Sequence, residues 1–261
     1  MAADGSVFER YEKKYLVNRE LCDTFLKEIE PYMQQDKYGL HTICNIYYDT
    51  RNYELIRTSI DKPEYKEKLR LRSYGIPNHD SKVFLEIKKK YAGVVYKRRI
   101  ELNYDEADRF LKEGKKPEGK YSEQIYNEIK YFISYYKPEP ALYLAYDRMA
   151  FFGKENPDVR ITIDKNIRSR QKDMELAYGD EGEKLFDEDL KLIEIKIPGA
   201  FPMWLSNILD KLNIYPVSFS KYGSIYKKKF VNGEIRLTDM LEMQPVNVSR
   251  GLTSEPIPAV V

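Results

Sequence analysis

Residues 67–72 read Glu67-Lys68-Leu69-Arg70-Leu71-Arg72, and this stretch decides the fold. Charged and aliphatic residues alternate with a period of two. In an extended chain Lys68, Arg70 and Arg72 then share one face, and Leu69 and Leu71 the other. The same alternation recurs along the chain. Phe84, Glu86 and Lys88 oppose Val83, Leu85 and Ile87. Glu194 and Lys196 oppose Ile193, Ile195 and Ile197, and Arg160, Thr162 and Asp164 oppose Val159, Ile161 and Ile163. Arg10, Glu12 and Lys14 share a face, as do Lys97 with Arg99 and Tyr146 with Arg148.

Outward from these segments, strands are expected over 10–17, 42–48, 67–74, 82–88, 94–102, 142–152, 159–167 and 192–197. Ala92-Gly93 marks a hairpin turn between the fourth and fifth. Helical spacing is found over 19–33, 105–113, 122–136 and 201–212, and a short basic helix over 220–230. Asp49-Thr50 reads as a further helix start. Strands that follow strands, with helices between hairpins, predict an α+β fold: an antiparallel β tunnel barrel with a basic interior and helices packed outside. One domain over 1–243 is expected. A tail over 244–261 follows, carrying Pro245, Gly251, Pro256 and Pro258.

Composition narrows the function. The 44 Lys and Arg nearly balance the 42 Asp and Glu, for a net charge of +2, so attraction to nucleic acid by bulk charge is not expected. Two His and two Cys argue against His-centred triads, zinc sites and a disulfide framework. A reducing, cytoplasmic setting is expected. No apolar run approaches the length of a membrane-spanning helix, and the N-terminus lacks a signal peptide's apolar core. Gly114-Lys-Lys-Pro-Glu-Gly119-Lys120 imitates a phosphate loop, but Tyr121 follows it and a helix precedes it. A helix cap and loop is the better reading.

Alternation alone fits two arrangements. The charged faces point to solvent, or they line the inside of a barrel whose aliphatic outside carries the helices. Three features favour the second. Lys and Arg dominate these faces, Ser and Thr are scarce there, and the amphipathic helices need apolar partners. Cations confined together repel. Such an interior makes sense around an anion, and a polyphosphate with a divalent metal suits it.

Seven motifs in order carry a family resemblance: Arg10-x-Glu12-x-Lys14-Tyr15, Leu69-Arg70-Leu71-Arg72-x-Tyr74-Gly75, Phe84-Leu-Glu86-Ile-Lys88, Lys97-Arg-Arg99, Tyr146-Asp-Arg148, Glu194-Ile-Lys196 and Ser220-Lys221-Tyr222. From about Val7 to Phe230 the chain resembles the VTC-type polyphosphate polymerase domains, a branch of the triphosphate tunnel metalloenzymes related to the CYTH phosphatases and cyclases. The resemblance implies a phosphotransferase that uses ATP, a divalent ion such as Mn2+ (or Mg2+), and growth of an inorganic polyphosphate chain. Carried over residue by residue, Lys221, Arg70, Arg72, Lys88 and Arg148 would be catalytic. Lys14, Lys97, Tyr146, Ser220, Arg10, Arg99 and Lys196 would bind substrate, with hydrogen bonds from Tyr146 and Ser220. Glu194 would hold the metal, with Glu12, Glu86 and Asp164 behind it. Arg10 departs from the acidic first position of the wider superfamily, and Ser218 stands where the VTC pattern often has Lys. A tunnel hydrolase of triphosphate or short polyphosphate, and a non-catalytic polyphosphate or nucleotide binder, remain alternatives on the same residues. Lys221 is expected in the first turn of its helix, against the dipole.

Overall fold

The period-two segments pair into one antiparallel sheet of ten strands in a computed structural model that describes residues 10–92, 94–186 and 189–233. The tail over 244–261 and the boundary at 243 lie outside the described residues. The strands are β1 (Arg10–Val17), β2 (Met33–Gln35), β3 (His41–Asp49), β4 (Tyr65–Tyr74), β5 (Lys82–Tyr91), β6 (Val94–Asn103), β7 (Glu139–Gly153), β8 (Arg160–Arg170), β9 (Glu183–Lys184) and β10 (Lys191–Pro198). Their order is β1-β10-β8-β7-β3-β4-β5-β6, with β2 beside β7 and β9 beside β8.

Among the described residues six α-helices join them: α1 (Arg19–Ile29), α2 (Glu54–Ile60), α3 (Tyr104–Glu113), α4 (Glu123–Tyr136), α5 (Met203–Lys211) and α6 (Lys221–Val231). Their ends have local causes. Asn18, Asn103, Ser122 and Ser220 each accept a backbone N–H at an N-terminus. Gly114 closes α3 in the left-handed region, at φ 71°, so the phosphate-loop mimic is a helix cap. The helix expected over 19–33 stops at Ile29. Pro31 has no N–H to continue it, and Met33–Gln35 pairs with Phe151–Gly153 instead. The helix expected from Asp49-Thr50 begins at Glu54. Asp49 acts from the end of β3, accepting the N–H groups of Leu55 and Ile56 at 2.9 and 3.0 Å.

The helices settle which face is inside. α3 and α4 cover Leu69, Leu71, Leu85 and Ile87, all 2% exposed or less. α1 and α5 cover Ile161, Ile163, Ile193 and Ile195, each 0% exposed. At roughly 25 cal/mol per Å² of apolar surface, this burial is the dominant favourable contribution. The aliphatic faces are therefore the outside of the sheet, and the charged faces turn toward each other. Around Leu142, Leu144 and Leu192 the inner surface is apolar, and α6 lies there with Tyr222 and Ile225.

The sheet curls without a hydrogen-bonded closure. Among the described residues, strands β1 and β6 end the path and do not pair with each other. The curl nevertheless brings Glu12 and Lys14 of β1 into the electrostatic field of Lys88 on β5. The expected tunnel is thus present with a seam along one side.

Candidate functional site

Two ion clusters line the inner surface. The first joins β7, β8, β10 and α6. Ser220 caps α6, and Lys221 follows it into the interior. Its ammonium lies 2.6 Å from Asp164 Oδ2 and 2.8 Å from Glu194 Oε1. Arg148 forks onto Asp164 with bonds of 2.6 and 2.7 Å and reaches Glu194 Oε2 at 3.5 Å. Lys196 lies 3.7 Å from the same oxygen. Asp164 is fully buried, and Lys221 and Glu194 nearly so. Charges this deep are tolerated because each is paired. Burial alone would raise the Glu194 carboxyl. Lys221, Arg148, Lys196 and Lys14 hold it well below the ordinary carboxylate range. Burial alone would lower the Lys221 ammonium, and Asp164 and Glu194 raise it instead.

The dipole cost of a cation in the first turn is therefore met by two carboxylates. Tyr146 supplies its ring face as well. Lys221 Nζ stands 4.7 Å and the Arg148 guanidinium 5.1 Å from its centroid. Ser220 Oγ accepts the Gly223 N–H at 3.2 Å, which sets the helix start. Lys14 anchors the approach to α6, donating to the Phe219 carbonyl at 3.0 Å and lying 3.3 Å from Glu12.

The second cluster surrounds Glu86 on β5. Arg70 binds it at 2.6 Å, Arg72 lies at 3.8 Å and Lys97 at 3.7 Å. Burial would raise the Glu86 carboxyl, but these three cations push it down to about 2. Its Oε1 accepts no hydrogen bond. Arg72 donates to Asn45 at 3.1 Å and Arg70 to the Tyr47 hydroxyl at 3.3 Å. Tyr47 is pushed down to about 8, its burial outweighed by Arg70 and Lys68. Lys97 is pushed down to about 8 by burial, with Arg70, Arg72 and Lys196 adding to it and Glu86 opposing.

The residues expected at the site separate as follows. Lys221, Arg148, Glu194, Lys196 and Tyr146 come together on one wall, with Lys14 beside them. Arg70, Arg72 and Lys97 come together on the other. Lys88 lies between the walls, in the field of Glu12 and Lys14. Arg99 stands opposite Glu86 in the register of β5 and β6, with its guanidinium stacked over Phe84 at 4.9 Å. Arg10 opens β1, and its side chain lies outside the described residues. Asp164 shares Lys221 and Arg148 with Glu194, a more central place than the alternation pattern alone gave it. Asn45 and Tyr47 were missed. Their signal was a polar residue interrupting the apolar run of β3.

Asp164 and Glu194 share the Lys221 ammonium, and Glu12 and Glu194 share Lys196. Among the described residues no three His, Cys, Asp or Glu side chains are grouped to hold a metal. Both Glu194 oxygens face cations. The donor set fits an ion whose remaining ligands are phosphate oxygens, the usual habit of magnesium at nucleotide sites.

An antiparallel sheet curled around a paired and partly unpaired cationic interior defines a tunnel-fold protein. The VTC domain family model matches residues 9–230, and the chain belongs to that family. Vacuolar transporter chaperone complex subunit 4 of Schizosaccharomyces pombe is 25% identical over 223 residues, taking in 69% of this chain and 30% of that protein. The chain thus spans less than a third of that relative's length. Among solved structures, an adenylate cyclase homologue from Bacillus halodurans aligns at a TM-score of 0.49 and 15% identity, over 80% of this chain and 92% of its own. An adenylyl cyclase-like Hippeastrum protein described as having a dominant triphosphatase activity aligns at 0.47 and 15%, over 87% and 98%. At these scores the shared path is partial and carries no chemistry across. No helix among the described residues is long and apolar enough to cross a membrane.

Proposed function

We propose that this protein is a polyphosphate-synthesising phosphotransferase, moving the γ-phosphate of ATP onto inorganic polyphosphate inside the curled sheet. The observation that supports it is the imbalance of the interior. Among the described residues, Lys14, Arg148, Lys196 and Lys221 on one wall, Lys68, Arg70, Arg72 and Lys97 on the other and Lys88 between them are set among four carboxylates, Glu12, Glu86, Asp164 and Glu194. That excess fits a chain of phosphates. Membership of the VTC family supports the same substrate class.

Phosphoryl transfer needs alignment and charge neutralisation more than covalent help. Lys221 and Arg148, fixed by Asp164, are placed to hold the oxygens of a transferring phosphoryl group. Arg70 and Arg72, fixed by Glu86 and Asn45, are placed to hold its neighbours from the facing wall. The attacking terminal phosphate of the polymer is already anionic, so no general base is required. Glu194 is the carboxylate that would hold a divalent ion, Mn2+ or Mg2+, and the ion would neutralise charge on the phosphates.

Product analysis tests this. Purified protein with ATP and Mn2+ should yield a long, acid-labile polymer together with ADP. Orthophosphate as the only phosphate product identifies a hydrolase instead. Binding of ATP without turnover identifies a binding module. Glu194→Gln should abolish metal-dependent turnover while keeping nucleotide binding. Full activity in that variant removes Glu194 from the site.

A further inference from the structure

Beyond the two paired clusters, β4 and β5 carry a run of lysines with a different character. The register sets Lys66 directly opposite Lys90, and Lys68 directly opposite Lys88. Across the next pair of strands Lys88 stands opposite Lys97. Like charges placed directly opposite on one sheet face are destabilising. Elsewhere on this inner surface a carboxylate is interleaved among the cations. Here none is. Lys66, Lys68, Lys88 and Lys90 have no carboxylate within ion-pair distance among the described residues, and Lys66 donates only to the Ser59 carbonyl, at 2.9 Å. Lys68 is pushed down to about 8 by burial, with Tyr47 opposing and Lys66, Lys88 and Lys14 adding to it. Lys66 is lowered by burial and then by Lys90, Lys62 and Lys88. The protein thus keeps a strip of mutually repelling ammonium groups, offset in part by Glu12 at Lys88 and by Tyr47 at Lys68.

The strip has a direction. Lys68 follows Arg70 by one step of the inner face and Lys66 by two. Lys88 and Lys90 do the same from Glu86. At about 3.3 Å per residue, Lys66 and Lys90 lie roughly 13 Å along the strands from the Arg70–Glu86 pair. A triphosphate held between the two ion clusters does not need to extend that far; a longer chain does.

We infer that the lysine strip of β4 and β5 is a subsite for the extended part of an inorganic polyphosphate chain, beyond the phosphates held by the two ion clusters. This rests on the polyphosphate reading of the interior. The strip is where a long polymer gains affinity that a triphosphate cannot. Its even spacing, with no carboxylate within ion-pair distance of Lys66, Lys68, Lys88 or Lys90 among the described residues, matches a ligand that repeats one anionic group.

Equilibrium binding to long-chain inorganic polyphosphate and to inorganic tripolyphosphate tests it, in the wild type and in the double variant Lys66→Gln, Lys90→Gln. The long chain should lose about tenfold in affinity, and its logarithmic salt dependence should flatten by about one to two units. Tripolyphosphate binding should stay within about twofold, since each tenfold is 1.4 kcal/mol and the ion clusters are untouched. The unliganded double variant should melt at a higher temperature, because the cross-strand repulsion is gone. Lys90→Gln alone gives half the effect if the double variant does not fold. Equal losses for both ligands, or for neither, overturn the subsite. So does a single-stranded DNA of matched charge that binds as tightly as the long polymer and shows the same loss. The turnover assay fails separately: long-chain binding that depends on Lys66 and Lys90, with no polymer made from ATP, leaves the strip standing and removes the synthase reading.

Discussion

The wall built by Lys221, Arg148, Asp164 and Glu194 and the strip built by Lys66, Lys68, Lys88 and Lys90 are both cationic, yet they are opposite solutions to one problem. On the wall each cation meets a carboxylate at 2.6 to 2.8 Å, so its position is fixed before any ligand arrives. On the strip the cations meet each other. Fixed charges suit a step that needs geometry, because preorganised groups cost no reorganisation as charge develops. Unpaired, solvent-reachable lysines suit a ligand whose register along the chain does not matter. The difference shows that charge count alone does not locate chemistry in such an interior. The partners of each charge do.

Removal of Lys221 should separate the two solutions most sharply. Lys221→Ala is expected to slow phosphoryl transfer by about 10²–10³, the usual loss for one preorganised cation or donor. It should also destabilise the fold, since one partner leaves a buried network, a change that costs about 3–5 kcal/mol when the remaining charge is uncompensated. Arg148 remains on both carboxylates, which places the cost at the low end. This reverses the expectation from the helix dipole alone, under which removal would leave folding unchanged or improved. Lys227→Ala, exposed on the same helix, should change neither rate nor stability. Equal effects from the two variants in parallel turnover and urea-unfolding measurements would erase the distinction between wall and surface.

The Glu86 cluster gives the next effect. Its carboxyl lies near 2 in the folded protein against an ordinary 4.5. A folded value below the unfolded one means the stabilisation is complete above about pH 4.5 and is lost as pH falls toward 2. A shift of this size corresponds to about 3 kcal/mol. Denaturation curves between pH 5 and 2 should show the loss, and Glu86→Gln should remove that part of the pH dependence. An unchanged slope in the variant would place the acid sensitivity elsewhere.

A third effect belongs to the lysines. Lys68 is held near 8, so above that pH it begins to lose its proton in the folded state while the unfolded chain keeps it. Stability of the unliganded protein should rise from pH 8 toward 10. Binding of long-chain inorganic polyphosphate at pH 8 should take up a fraction of a proton, because the anion favours the charged ammonium. Calorimetry in buffers of different ionisation enthalpy reads this directly, and a buffer-independent heat would show that Lys68 is already fully charged.

Much of the fold was legible because alternation is a local signal. Leu69, Leu71, Leu85 and Ile87 announce one buried face, and the amphipathic helices say what buries it. Ser220 announces the start of α6 for the same reason. The charge pairings were less legible. Glu194 and Lys221 are 27 positions apart and meet only because α6 folds back onto the inner face. Lys221 and Asp164 are farther apart still in sequence. Nothing in one strand says which face of another it will see. The lysine strip needed the register of β4 against β5, which a one-residue slip would have destroyed. The end of α1 was readable from Pro31 and was overrun because the apolar spacing continues through it.

Among the described residues β1 and β6 do not pair with each other, and the Val217 N–H, which donates to the Lys14 carbonyl at 2.7 Å, covers part of the β1 edge; the seam that is left has a topological consequence. A closed ring admits a polymer only by threading a free end, and releases it only the same way. A curl with a seam is a cleft wherever the seam is open, and there a chain can be laid in from the side. A polyphosphate blocked at both ends would then bind as readily as one with free ends, and a growing product could leave without being drawn out lengthwise.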